Sequence, residues 1–175
     1  MIFITGGARS GKSALAEKIA CERGPVTYIA TARGDDEEMK ARIAEHRRRR
    51  PGSWKTIESP VDLPESVERS LAASEAVVLV DCLTVYLSNV LLSQGIASAE
   101  HMRRAADHET DRIVDICRRG NGRVIVVSNE VGMGVVPGNT LARTFRDVAG
   151  RANQKLAAAA DEVYLCVSGI PLKVK

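Results

Sequence analysis

Short apolar runs alternate with longer stretches of helical periodicity along the whole of this chain. Residues 1–5 (MIFIT), 26–30 (VTYIA), 76–80 (AVVLV), 123–127 (RVIVV) and 162–167 (EVYLCV) are apolar and rich in β-branched side chains, the pattern of buried strands. Between them the periodicity predicts helices over 14–23, 35–49, 63–73, 83–94, 98–119 and 139–160. A further strand-like run covers 54–58. Strands alternating with helices of this length imply βαβ units, a mostly parallel sheet and helices on both of its faces. The last stretch, 163–174, holds two apolar runs around Ser168-Gly169, which predicts a terminal hairpin carrying an antiparallel strand. No repeat, low-complexity tract or proline-rich linker divides the chain, so residues 1–175 are read as a single α/β domain.

One segment of this pattern carries a mechanism. Directly after the first apolar run stand Gly6, Gly7, Ala8, Arg9, Ser10, Gly11, Lys12 and Ser13, which satisfy GxxxxGK[ST] between a strand and a helix. Glycines let backbone N–H groups close around phosphate oxygens, and the following helix points its positive end at them. Lys12 then reaches the terminal phosphates and the Ser13 hydroxyl joins a magnesium ion. The chain is therefore expected to bind a nucleoside triphosphate.

Composition narrows the partners. The net charge of +3 is too small to imply nucleic acid, and 3% aromatic residues provide no stacking platform for single strands. It suits an anionic small substrate. Cys21, Cys82, Cys117 and Cys166 are widely spaced without a CxxC pair, and Cys82 and Cys166 read as buried reduced thiols. No apolar run approaches membrane-spanning length, and the opening strand leaves no room for a signal peptide. A cytoplasmic protein with no stable membrane insertion is the expectation.

Ligands of open α/β sheets bind beyond the carboxyl ends of the strands. That rule selects Thr31, Arg33, Asp81 and the pair Asn129-Glu130. Asp81 ends the run AVVLVD, either as the acid that holds magnesium or as a cap for the helix beginning at Leu83. Glu130 either orients a nucleophile or metal-bound water, or fixes its glycine-containing loop by accepting backbone hydrogen bonds. In 35–54, acidic residues precede the basic Arg47, Arg48, Arg49 and Arg50, an order that complements a helix dipole. Glu38, Arg42 and His46 share one face, beside an apolar anchor of Met39 and Ile43. This is either a solvated basic helix end or an imidazole next to an anion clamp. His101 and His108 sit on a charged helix and read as surface residues.

The stretches GGARSGKS, YIATA, EEMKARIAEHRRRRP, VVLVDCLTVYLSN and VSNEVGMGVVPGNTLARTFRDVAGRANQ resemble the bifunctional cobalamin-biosynthesis family of adenosylcobinamide kinase and adenosylcobinamide-phosphate guanylyltransferase. The resemblance covers nearly the whole chain. It implies a P-loop NTPase fold with a RecA-like sheet, ATP and GTP as substrates, a corrinoid partner and a homotrimer, with magnesium as the cofactor already expected from Ser13 and Asp81. It also implies two reactions: phosphorylation of adenosylcobinamide, and transfer of GMP from GTP to the product through a guanylylated histidine. His46, which follows the pair Arg42-Ile43, inherits that role, and with Lys12 forms the implied catalytic set. Nucleotide contacts carry over to the phosphate loop, Ala30, Thr31 and Ala32, the four arginines, Glu58 and Asp81; the metal positions, Ser13 and Asp81, are those already read from the phosphate loop and the acid that ends AVVLVD. Without this resemblance, the residues alone also accommodate a simple P-loop kinase of a small metabolite or a nucleotide-gated anion-binding protein.

Overall fold

The computed structural model describes all of residues 1–175 except Asp36, Gln94, Ile96, Ala97 and Gly122, and except the side chains of Glu38 and Arg42. Thus Asp36 and Gln94, which the helices predicted over 35–49 and 83–94 included, lie outside the described residues, as does the face on which Glu38 and Arg42 were to join His46.

The chain order is β1 (Ile2–Gly6), α1 (Lys12–Glu22), β2 (Val26–Ala30), α2 (Glu37–Arg49), β3 (Lys55–Glu58), α3 (Leu63–Ala73) and β4 (Val77–Asp81). It continues with α4 (Leu83–Ser93), α5 (Ala99–Arg119), β5 (Val124–Asn129), α6 (Thr140–Ala159), β6 (Glu162–Val167) and β7 (Ile170–Lys173). The seven strands form one sheet in the order β3-β2-β4-β5-β1-β6-β7. Every neighbouring pair is parallel except β6 and β7, which form the expected antiparallel hairpin. The predicted α/β architecture is therefore present.

Strand residues divide their alternate side chains between two cores. Ile2, Ile4, Tyr28, Leu79, Ile125 and Val127 pack with Ala16 and Ala20 of α1 on one face. Phe3, Ile29, Val78, Val80, Val124 and Val126 meet α3, α4, α5 and α6 on the other, through residues such as Leu63, Leu87, Ile113 and Leu156. Both faces of the central strands are covered, which is why they read as continuous apolar runs. Local chemistry sets the helix ends. Ser98 caps α5 by accepting from the His101 N–H, Asn139 caps α6 by accepting from the Ala142 N–H, and Pro64 occupies the first turn of α3.

Register delivers the functional residues. Ala30 lies opposite Glu58 on one side and Asp81 on the other, while Gly6 lies opposite Asn129 and Cys166. The carboxyl ends of the parallel strands thus form one row. Leu156, fully buried in the α6 core, tests the packing that holds this row. Leu156→Ala should lower unfolding stability by about 2–5 kcal/mol, measured by urea denaturation, through lost burial and the cavity left behind.

Candidate active site

The phosphate loop is shaped by backbone constraints that only small residues meet. A Cβ on Gly6 would stand 2.4 Å from the Cys166 carbonyl oxygen and 2.6 Å from Ser10 Oγ. Gly11 has φ 93° and Arg9 φ 55°, so the loop turns through left-handed conformations on its way into α1. Gly11 also packs against the turn of the terminal hairpin: its Cβ position lies 3.0 Å from Gly169 Cα, and the Gly169 N–H donates to the Ser10 carbonyl at 3.0 Å. Gly11 caps α1 without a side-chain hydrogen bond, leaving the helix N-terminus for an external anion. Lys12 Nζ donates to the Gly7 carbonyl at 2.8 Å, its ammonium held across the loop.

Beyond this loop opens a cleft of about 600 Å³, lined by Lys12 and Ser13, by Ala30, Thr31 and Ala32, by Asp81 and Asn129, and by His46, Arg47, Arg50 and Glu58. Its floor is a hydrogen-bonded platform. Tyr28 OH donates to Asp81 Oδ2 at 2.9 Å, and burial, reinforced by the Asp81 charge, holds the phenol well above its usual range and hence neutral. Thr31 is turned inward: its hydroxyl donates to the Cys82 carbonyl and accepts from the Cys82 N–H, both at 2.8 Å. The Thr31 carbonyl accepts from Asn89 Nδ2 at 2.8 Å. Its polar atoms therefore tie the ends of β2 and β4 and the helix α4 together. Cys82 is buried and its thiol is pushed up to about 12 by desolvation, so it is inert at neutral pH; Cys166 is buried too, as expected.

The end of α2 closes the other side, and its four arginines have four environments. Arg47 pairs with Glu58. Arg50 lies 3.7 Å from the centre of the Tyr28 ring, donates to the His46 carbonyl at 3.0 Å, and meets Thr56 Oγ1 at 3.3 Å. Trp54 stacks beside Tyr28, with ring centroids 6.4 Å apart. Arg49 NH2 approaches His46 Nδ1 at 3.2 Å and Glu17 Oε1 at 3.7 Å. Arg48 is exposed and is not part of the cleft lining. The structure therefore brings Arg47 and Arg50 to the cleft, holds Arg49 behind His46, and leaves Arg48 outside.

Other sequence expectations divide similarly. Glu130 Oε1 accepts from the Gly132 N–H at 2.5 Å, and a Cβ at Gly132 would collide with it, so this carboxylate fixes its loop. Asn129 reaches the cleft because its N–H donates to Thr84 Oγ1 at 2.6 Å and its carbonyl accepts from Asn153 Nδ2 at 3.0 Å. His101 and His108 are exposed on α5. Two participants were missed. Tyr28 follows from the alternation of β2, which puts Val26, Tyr28 and Ala30 on one face. Glu17 follows from helix spacing, four residues after Ser13 on α1. Among the described residues, no group of three or more His, Cys, Asp or Glu side chains could hold a metal ion by itself.

Glu17 supplies a stability test. Burial raises its pKa above the usual carboxylate value, against the opposing attraction of Arg49. A raised folded-state pKa means the folded protein binds this proton more tightly, so the ionised form costs stability as pH rises past the unfolded value. Glu17→Gln should therefore raise the melting temperature at neutral pH. The difference should vanish at acidic pH where both side chains are neutral, as followed by thermal denaturation across pH.

Comparison with known proteins agrees with this geometry. The family profile described as cobinamide kinase / cobinamide phosphate guanyltransferase matches residues 2–174. The bifunctional adenosylcobalamin biosynthesis protein CobU of Salmonella typhimurium is 46% identical, over 100% of this chain and 99% of its own length. Its counterpart from Escherichia coli K12 is 45% identical with the same coverage. The bifunctional adenosylcobalamin biosynthesis protein CobP of Pseudomonas aeruginosa is 44% identical, over 99% of this chain and 96% of its own length. With the phosphate loop, Asp81 and the His46 helix end disposed around one cleft, the chain belongs to the cobinamide kinase / cobinamide phosphate guanyltransferase family of P-loop proteins.

Proposed function

We propose that this chain performs both activities of its family on one scaffold. In the first, the terminal phosphoryl group of ATP or GTP passes to the aminopropanol hydroxyl of adenosylcobinamide. In the second, GMP passes from GTP to adenosylcobinamide phosphate, giving adenosylcobinamide-GDP and pyrophosphate. The observation that carries this reading is the presence of Lys12, Asp81 and His46 around one cleft.

Each residue has a physical task. Backbone N–H groups of residues 6–13 and the open N-terminus of α1 receive the phosphates, and Lys12 exchanges its bond to the Gly7 carbonyl for one to a phosphate oxygen. Ser13 and Asp81 would hold magnesium. They offer hard oxygen ligands on one cleft, and a site with one carboxylate suits an ion that keeps water and substrate phosphates as its other ligands. When bound, the ion neutralises phosphate charge. Tyr28 fixes the Asp81 carboxylate through its neutral hydroxyl. In guanylyl transfer a ring nitrogen of His46 forms a bond to the α-phosphorus while the bond from that phosphorus to the bridging oxygen breaks, and pyrophosphate leaves with the electron pair. A phosphate oxygen of the acceptor then attacks the same phosphorus and returns the pair to the ring. Arg47 and Arg50, on the cleft, neutralise charge as pyrophosphate departs. A homotrimer accompanies this reading by family resemblance, and a cytoplasmic location remains the expectation from the sequence; among the described residues no helix is long and apolar enough to cross a membrane.

The direct test supplies adenosylcobinamide with α-labelled GTP and follows both the protein and the corrinoid. Trapped GMP on the protein together with adenosylcobinamide-GDP supports the proposal. Phosphorylated corrinoid alone identifies a plain kinase, and binding without product identifies a nucleotide-gated binding protein. Lys12→Ala should lose about 3–4 kcal/mol of transition-state stabilisation, roughly a hundredfold or more in rate, while circular dichroism shows an intact fold. His46→Asn should abolish the acid-labile, alkali-stable GMP adduct and the adenosylcobinamide-GDP product while retaining appreciable phosphorylation. Adduct formation by that variant would move the nucleophile elsewhere.

A further inference from the structure

Glu17 takes no part in the chemistry derived above, yet it sits partly buried behind the histidine. It projects from α1, one turn beyond Ser13, and its side chain is only 15% exposed. Arg49 joins it to the end of α2, with NH2 3.7 Å from Glu17 Oε1 and 3.2 Å from His46 Nδ1. A guanidinium has donors and no acceptor, so at this contact Nδ1 is the acceptor. A neutral imidazole whose Nδ1 accepts carries its proton on Nε2. Its one ring lone pair is then directed at Arg49 and occupied by that contact.

We infer that Glu17 and Arg49 are positioning residues that hold the His46 imidazole with its Nδ1 lone pair capped, and that an arriving polyphosphate draws Arg49 away and opens the ring for attack. The inference rests on the reading of His46 as the acceptor of GMP. Glu17 serves as the anchor because its carboxylate reaches Arg49 from α1; without it, a long half-exposed arginine would wander from the ring. Release is a competition between anions. A triphosphate carries more charge than one carboxylate and matches the guanidinium fork, so Arg49 exchanges Glu17 and Nδ1 for phosphate oxygens. The freed lone pair forms the nitrogen–phosphorus bond, pyrophosphate takes the pair from the broken phosphorus–oxygen bond, and the other ring nitrogen keeps its proton. The histidine is thereby quiet in the nucleotide-free protein and reactive once the polyphosphate is in place.

Acylation of histidines by diethyl pyrocarbonate, which consumes the ring lone pair, tests the cap without nucleotide. Rates are read at each histidine by peptide mass spectrometry, with exposed His101 and His108 as internal references. In the wild-type protein His46 should react more slowly than either. Glu17→Gln and Arg49→Gln should each speed His46 by about two- to fivefold, the factor expected for an ion pair of this exposure. The double variant should be no faster than Arg49→Gln alone, because Glu17 acts through Arg49. Equal His46 rates in all four proteins, or additive effects in the double variant, would overturn the cap. In 15N-labelled wild-type protein, inorganic tripolyphosphate should shift the Nδ1 resonance of His46 and leave those of His101 and His108 in place. An unresponsive His46 resonance would overturn release. None of these measurements depends on GMP transfer, so a failed cap and a failed assignment of the GMP acceptor are told apart by the labelled-GTP adduct.

Discussion

Everything at the cleft depends on the parallel register of β3, β2, β4, β5 and β1. Hydrogen bonding between neighbours sets Glu58, Ala30 and Asp81 side by side, and sets Gly6 beside Asn129. A slip of one residue in β4 would turn Asp81 to the opposite face and put a valine or the Cys82 thiol in its place. The register is enforced by close packing, because the central strands bury alternate side chains of different shape in two different cores and a shifted pairing would misfit them. The chemistry of one end of the sheet is thus specified by apolar packing along its whole length.

Polar locks complete what register begins. Thr31 bonds both backbone groups of Cys82, Asn89 bridges the carbonyls of Thr31 and Pro60, and Thr84 bonds Ser128 and the N–H of Asn129. These bonds are buried or partly buried, where an unpaired polar group is costly, so each has a strong reason to persist. The cleft wall built from β2, β4 and β5 is stiffer for it. The α2 side differs: the exposed pair Arg47–Glu58 and the half-exposed guanidinium of Arg49, paired with the partly buried Glu17, hold it, and such arginines exchange more readily with an incoming anion.

The division between rigid and exchangeable parts also explains how far sequence reading reached. Periodicity located every strand and helix within a few residues, and placed α3, β2 and β6 on their observed bounds, because those signals are local. The phosphate loop was legible because glycine, lysine and serine at fixed offsets encode a mechanism. Strand order was not, since β1 lies between β5 and β6 through contacts distant in sequence. The same limit hid Tyr28 and Glu17, whose partners come from other elements, and blurred the arginine run. Four identical letters gave no sign that one meets Glu58, one covers Tyr28, one backs His46 and one faces solvent. Nor did the sequence show that the Thr31 hydroxyl is committed to Cys82, since that bond joins two strands far apart in the chain.

The turn of the last hairpin gives the far end of the chain a stake in phosphate recognition. Ser168 and Gly169 adopt left-handed conformations, and Gly169 is hydrogen-bonded to Ser10 and pressed against Gly11. The loop is therefore braced from behind by residues that never face the cleft. A side chain at Gly169 or a lost hairpin would act on nucleotide affinity as a lesion of the cradle itself, although it would map in sequence to the opposite end of the molecule.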